Sequence, residues 1–125
     1  MKPVYFDFTV ENLGAAKQFF ESVFDWHFEK FPMPYEYYRI QAGKPNEPGI
    51  DGGIGAIADT NTSGGKPLTQ VTIQVPNLDE FIARVKASGC SVIEKIAIPE
   101  IGWYATCAEP GGLKFGMIQV DPNTR

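Results

Sequence analysis

The feature that most constrains this chain is an internal repeat. Val10-Glu11-Asn12-Leu13 returns as Val75-Pro76-Asn77-Leu78, an offset of 65, and at the same offset Phe28-Glu29-Lys30 returns as Ile93-Glu94-Lys95. Further on, Glu47-Pro48-Gly49 returns as Glu109-Pro110-Gly111 at an offset of 62, which needs a three-residue deletion in the second copy. Self-similarity at a fixed spacing is the signature of a duplicated supersecondary unit. Each copy is about half of 125 residues, and a chain of that length with 43% apolar residues can close one core without disulfide staples.

Both copies share a hydrophobic grammar. From Val4 to Val10 the chain alternates, with Val4, Phe6, Phe8 and Val10 on one side and Tyr5, Asp7 and Thr9 on the other. The second copy sets Val71, Ile73 and Val75 against Gln70, Thr72 and Gln74. This is the period of a half-buried strand. Asn12 and Asn77 then stand where helix N-caps belong. Leu13, Ala16, Phe20, Val23 and Phe24 follow at helical spacing, as do Leu78, Phe81, Ile82 and Val85, and Gly89 offers a left-handed stop after Ser88. Three short strand-like runs come after each helix: Trp26 to Phe31, Glu36 to Gln41 and Gly53 to Ala58, then Ser91 to Ile96, Gly102 to Ala108 and Leu113 to Val120. The expected organisation is a βαβββ unit over 1–60, a linker over 61–67 rich in Thr, Ser and Gly, and a second βαβββ unit over 68–125.

In each first strand the apolar set must face its own helix, which turns Tyr5, Asp7, Thr9, Gln70, Thr72 and Gln74 the other way. The expected fold is therefore α+β, two tandem βαβββ units forming a curved mixed sheet around a cup with the helices outside. Tyr35, Tyr37, Tyr38, Trp103 and Tyr104 supply ring area on or beside the short strands, more than a wet surface usually carries.

Composition narrows the chemistry. Eleven basic against fifteen acidic residues give a net charge of −4, unsuited to tracking phosphates, so nucleic acid is not an expected partner. His27 is the only histidine, which excludes sites built from several imidazoles within one chain, and two cysteines cannot make a four-thiolate zinc site. The start, Met1-Lys2-Pro3-Val4, passes directly into strand-like sequence, and no run of about 18 apolar residues occurs. The expectation is a cytoplasmic protein with no membrane partner, its Cys90 and Cys107 reduced.

Two βαβββ units, the helix stretch Ala15-Ala16-Lys17-Gln18-Phe19-Phe20-Glu21-Ser22-Val23-Phe24-Asp25-Trp26, the Asp51-Gly52-Gly53-Ile54 turn and the closing Ala108-Glu109-Pro110-Gly111-Gly112 resemble a known superfamily. It is that of the glyoxalases, bleomycin resistance proteins and extradiol dioxygenases, the vicinal oxygen chelate fold. The resemblance covers nearly the whole chain. It implies a cup holding one divalent metal, ligated from the first and last strands of each unit, and it implies homodimerisation. Carried over residue by residue, the ligand positions fall on Tyr5, Gln70, Gly116 and, by the offset of 62, Ile54. A phenol, an amide, a hydrogen and a butyl group do not hold zinc, iron, manganese or nickel, so no metal or other cofactor is expected.

The remaining candidates are few. Asp7, between Tyr5 and Thr9 on the inward face, is either a desolvated acid able to bind a cation or move a proton, or a structural carboxylate held by neighbouring hydroxyls. His27 reads as a partly exposed residue, and Cys107, with no base nearby in sequence, as packing. The first expectation is a metal-free small-molecule binding protein of the bleomycin-resistance type, with Tyr5, Asp7, Gln70, Thr72 and Trp103 at the ligand. The alternative is a lyase, isomerase or dioxygenase-type enzyme resembling lactoylglutathione lyase, either with an atypical metal site or without metal, with Asp7 as base and Tyr5 as acid. A third is an interaction domain whose rings serve a protein partner.

Overall fold

The computed structural model describes residues 1–59 and 64–125, so residues 61–63 of the expected linker lie outside the described residues. The chain forms two compact units, Tyr5–Thr69 and a second made of Met1–Val4 with Gln70–Arg125. The first four residues thus fall in the second unit, where the Gln74 amide donates to the Lys2 carbonyl at 3.4 Å.

The first unit runs through β1 (Pro3–Val10, its first two residues excepted), α1 (Leu13–Phe24), β2 (His27–Lys30), β3 (Tyr37–Gln41) and β4 (Asp51–Ala56). Its strands lie in the order β2-β3-β4-β1, with β4 parallel to β1 and the other pairs antiparallel. Helix α1 begins where Asn12 accepts from the Ala15 amide at 3.0 Å, which satisfies one of the orphan N–H groups of the first turn. It ends at Asp25, left-handed at φ 59° and donating its N–H to the Glu21 carbonyl. Phe6, Phe8 and Val10 pack with Ala16, Trp26 and the buried Leu13, Ile40 and Ile54. Phe20 stacks on Trp26 with centroids 4.6 Å apart. The apolar alternation of β1 therefore meets its own helix.

The Asp51-Gly52-Gly53-Ile54 segment, expected as a turn, is strand. Its glycines serve closeness instead of bending. A Cβ at Gly52 would collide with the Phe6 backbone and ring, so only glycine lets β4 lie this near β1. The strand then stops at Ala56, and Ala58 falls in a single 3-10 turn, Ile57–Asp59.

The second unit repeats the plan with β5 (Leu68–Gln74), α2 (Leu78–Ala87), β6 (Ser91–Ile98), β7 (Gly102–Ala108) and β8 (Lys114–Val120), in the order β5-β8-β7-β6. Asn77 caps α2 by accepting from the Glu80 amide at 2.9 Å, and the Leu78 amide finds Gln119 Oε1 at 2.8 Å. Gly89, at φ 88°, takes the left-handed position after Ser88. Val75, Leu78, Ala105, Cys107 and Met117 form the buried cluster beneath this helix. The turn before β8 is closed by Glu109, whose carboxylate accepts from the Leu113 amide at 2.9 Å.

Candidate functional site

In the first unit the face away from α1 follows from strand pairing. Tyr5, Asp7 and Thr9 lie opposite Asp51, Gly53 and Gly55 in the parallel β1–β4 register, and Tyr37 and Arg39 lie opposite Gly55 and Gly53 in the antiparallel β3–β4 register. All of these side chains share one face, since residues two apart on a strand point the same way. Gly53 and Gly55 are bare, and the Tyr37 ring occupies the space they leave. Its Cδ2 would stand 3.1 Å from a Cβ at Gly55, and its hydroxyl would coincide with one at Gly53. Laid across β4 in this way, Tyr37 delivers its hydroxyl to Asp7, donating to Oδ1 at 2.7 Å.

Tyr37 is the only hydrogen-bond donor to the Asp7 carboxyl among the described residues. Burial of the carboxyl disfavours its charged form and raises the pKa from 3.8 to about 7, against the opposing pull of the Tyr37 hydroxyl. Asp7 is thus poised to exchange a proton near neutrality. Phe31 and Tyr35, centroids 5.8 and 6.4 Å from the Tyr37 ring, extend the aromatic wall. Tyr5 is 40% exposed and lies across from Asp51, whose carboxylate accepts from the Ala42 amide at 2.9 Å. The hydroxyl that meets Asp7 is that of Tyr37, from the third strand.

The second unit rebuilds the same device with neutral groups. Tyr104 pairs with Ile118, and its hydroxyl would coincide with a Cβ at Gly116, two residues back along β8, just as Tyr37 stands to Gly53. Gly116 lies opposite Thr72, as Gly53 lies opposite Asp7. The Tyr104 oxygen accepts from Gln70 Nε2 at 3.3 Å and from Thr72 Oγ1 at 3.5 Å. Gln70 and Thr72 are therefore brought together. Trp103 is not with them: it alternates with Tyr104, shares the α2 face with Ala105 and Gln119, and carries Lys95 Nζ 5.4 Å from its ring centroid. Its place among ligand-binding residues is corrected by strand alternation. His27 is exposed at the start of β2. Cys107 is wholly buried in the α2 core, where burial and the neighbouring Cys90 push its thiol pKa up, as suits packing and not nucleophilic chemistry.

The pairing also corrects one transferred metal position. Ile54 is wholly buried against α1, and the counterpart of Gly116 is Gly53, an offset of 63 and not 62. The donor set becomes a phenol, an amide and two glycines whose Cβ positions are already filled by tyrosine hydroxyls. These residues do not fit a divalent cation. Among the described residues no three of His, Cys, Asp and Glu converge on a common point.

The sequence signal for the tyrosine arrangement of the first unit is the Gly53-x-Gly55 spacing in a strand, which denotes something lying close over one face; the second unit, with Ile118 two residues after Gly116, lacks it.

No protein-family model matches the sequence, and no curated protein does. Solved structures do match its shape. Methylmalonyl-CoA epimerase from Mycobacterium tuberculosis aligns with a TM-score of 0.72 at 13% identity, over 96% of this chain and 88% of that one. A hypothetical protein from Bacillus halodurans aligns with a TM-score of 0.73 at 14% identity, over 99% and 97%. A Mn(II)-bound glyoxalase from Novosphingobium aromaticivorans gives 0.65 at 21%, over 98% of this chain and 40% of that one. The fold is shared with these epimerase and glyoxalase structures, the glyoxalase-like fold that the sequence resemblance implied.

Proposed function

We propose that this protein binds a small organic molecule without a metal ion, using the tyrosine-lined polar sheet faces that bear Tyr5, Asp7, Gln70 and Thr72. The observation that carries the reading is the Asp7–Tyr37 pair, a desolvated carboxyl 2.7 Å from the hydroxyl of a tyrosine laid across two bare glycines. Perturbed carboxyls set beside aromatic walls gather at binding and catalytic sites. A carboxyl with this proton affinity favours a neutral or cationic ligand. Bleomycin-resistance proteins of the same fold, which work by sequestration, are the model for this use. The test is thermal-shift screening against small aromatic and carbonyl compounds, with hits that raise the melting temperature of the wild type and not of Asp7→Asn. About one transition metal per chain, in protein purified without chelator, would refute it.

One observation favours a second reading, a metal-free isomerase or lyase. An acid with a pKa near 7 can take and return a proton at working pH, and Tyr37 is placed to hold the carboxyl in position. Several of the structural neighbours bear the name epimerase, a reaction that inverts a carbon centre. Incubation with methylmalonyl-CoA in deuterated water provides the test: incorporation of deuterium by the wild type and none by Asp7→Asn. Homodimerisation and cytoplasmic residence complete the proposal. Light scattering at a mass twice 13.8 kDa and cell fractionation check them.

A further inference from the structure

The second unit contains a polar group whose bonding capacity is unspent. Gln70 is 6% exposed, yet its Oε1 lies out of solvent with no hydrogen-bond partner among the described residues. Buried carbonyl oxygens without a donor are rare in folded proteins, and each calls for an occupant. The bonds that Gln70 and Thr72 make to the Tyr104 oxygen, at 3.3 and 3.5 Å, are long beside the 2.7 Å of the Tyr37–Asp7 bond.

The chemistry of the occupant follows from its surroundings. Gln70, Thr72 and Tyr104 are uncharged, so an ammonium placed against Oε1 would lack a compensating charge there and pay for desolvation. A primary amide carries two N–H donors, and Tyr104 takes one of those on Nε2. A lactam or cis-carboxamide matches what remains, its N–H reaching Oε1 while its carbonyl accepts the second Nε2 hydrogen. An alcohol supplies only one of these bonds along a fixed edge.

We propose that Gln70 is the recognition point for an uncharged lactam or carboxamide group of the ligand, whose N–H supplies the hydrogen bond that Oε1 lacks. This rests on the reading of the polar faces as ligand-binding and names the group recognised in the second unit.

The test follows the Gln70 side-chain amide by ¹H–¹⁵N NMR while 2-pyrrolidinone, or its N-methyl derivative, is added. The expected result is that 2-pyrrolidinone shifts the Gln70 amide with a dissociation constant at least tenfold smaller than the N-methyl compound. Read at the Thr72 backbone amide, beside Gln70 on the same strand, the response to 2-pyrrolidinone should be lost in Gln70→Leu. Equal responses to the two compounds would overturn the inference, because an acceptor alone would then suffice, as it would were the amide turned so that Nε2 is the unpartnered atom. No response in the wild type, or one at the Thr72 backbone amide that survives Gln70→Leu, would overturn it as well. Should Gln70→Leu fail to fold, the two-compound comparison on the wild type decides. If the lactam selectivity fails while the screen still returns Asp7-dependent hits, the inference alone falls; if the screen is empty too, the binding reading falls with it.

Discussion

Replacing Asp7 by Asn should change how stability depends on pH, and the size of the change can be worked from the site. Burial raises the Asp7 pKa from 3.8 to about 7 in the folded protein. Between those values the folded state holds a proton that the unfolded chain has lost. Folding is therefore favoured below pH 3.8 by the full shift, and this contribution disappears as pH rises through 7. At about 1.36 kcal/mol per pH unit, the loss amounts to about 4 kcal/mol. Asparagine cannot titrate, and its side-chain oxygen still accepts from the Tyr37 hydroxyl. Urea unfolding of both proteins at pH 4, 5.5, 7 and 8.5 is the assay, since subtracting the variant cancels the other carboxylates. The wild type should match the variant near pH 4 and fall below it by about 4 kcal/mol at pH 8.5. A difference that stays flat across this range would refute the claim that Asp7 is desolvated.

Three further outcomes test the rest of the architecture. Tyr37→Phe removes the group that lowers the Asp7 pKa, so the Asp7 carbon resonance should titrate above pH 7 by NMR; the destabilisation should be about 1.5–3 kcal/mol at pH 8.5, where the lost bond is to a charged group, and smaller at pH 5. Gly53→Ala puts a methyl on the Tyr37 hydroxyl and should cost about 1–3 kcal/mol, whereas the same change in a Tyr37→Ala background should cost distinctly less, a coupling read from a double-mutant cycle of unfolding free energies. Leu78→Ala, at a position 1% exposed beneath α2, should lower stability by about 2–5 kcal/mol in chemical denaturation.

What could be read from the sequence was whatever depends on local periodicity. The caps Asn12 and Asn77, the stop at Gly89, the bounds of β7 and the faces of the first strands, with Tyr5 and Asp7 turned from α1 and Gln70 and Thr72 turned from α2, all follow from spacing within one element. Register between strands does not. The offset of 62 came from a loop match, Glu-Pro-Gly, while the β1–β4 and β5–β8 ladders require 63, and a slip of one residue exchanges the faces of a strand. Ile54 and Gly53 changed places for that reason. Trp103 failed differently: adjacent residues on one strand cannot share a face, so its grouping with Tyr104 counted rings where it should have counted alternation. The left-handed end of α1 at Asp25 had no glycine to announce it.

The cost attached to Asp7 bears on why it is there. An asparagine would also accept the Tyr37 hydroxyl and, net of the stronger bond made to the carboxylate, spare the fold about 4 kcal/mol above neutrality. Packing over Gly53 and Gly55 would be unchanged, because the Tyr37 ring fills that space whatever stands on β1. The second unit makes the comparison within the same molecule. At the position matching Asp7 it has Thr72, whose hydroxyl meets the corresponding tyrosine, Tyr104, over the corresponding glycine, Gly116, with no charge to bury. A neutral residue is thus sufficient for the architecture. The carboxyl of the first unit is an addition to it, and the binding function proposed above gives its near-neutral proton affinity a use, against a ligand that takes a proton, donates one or carries positive charge.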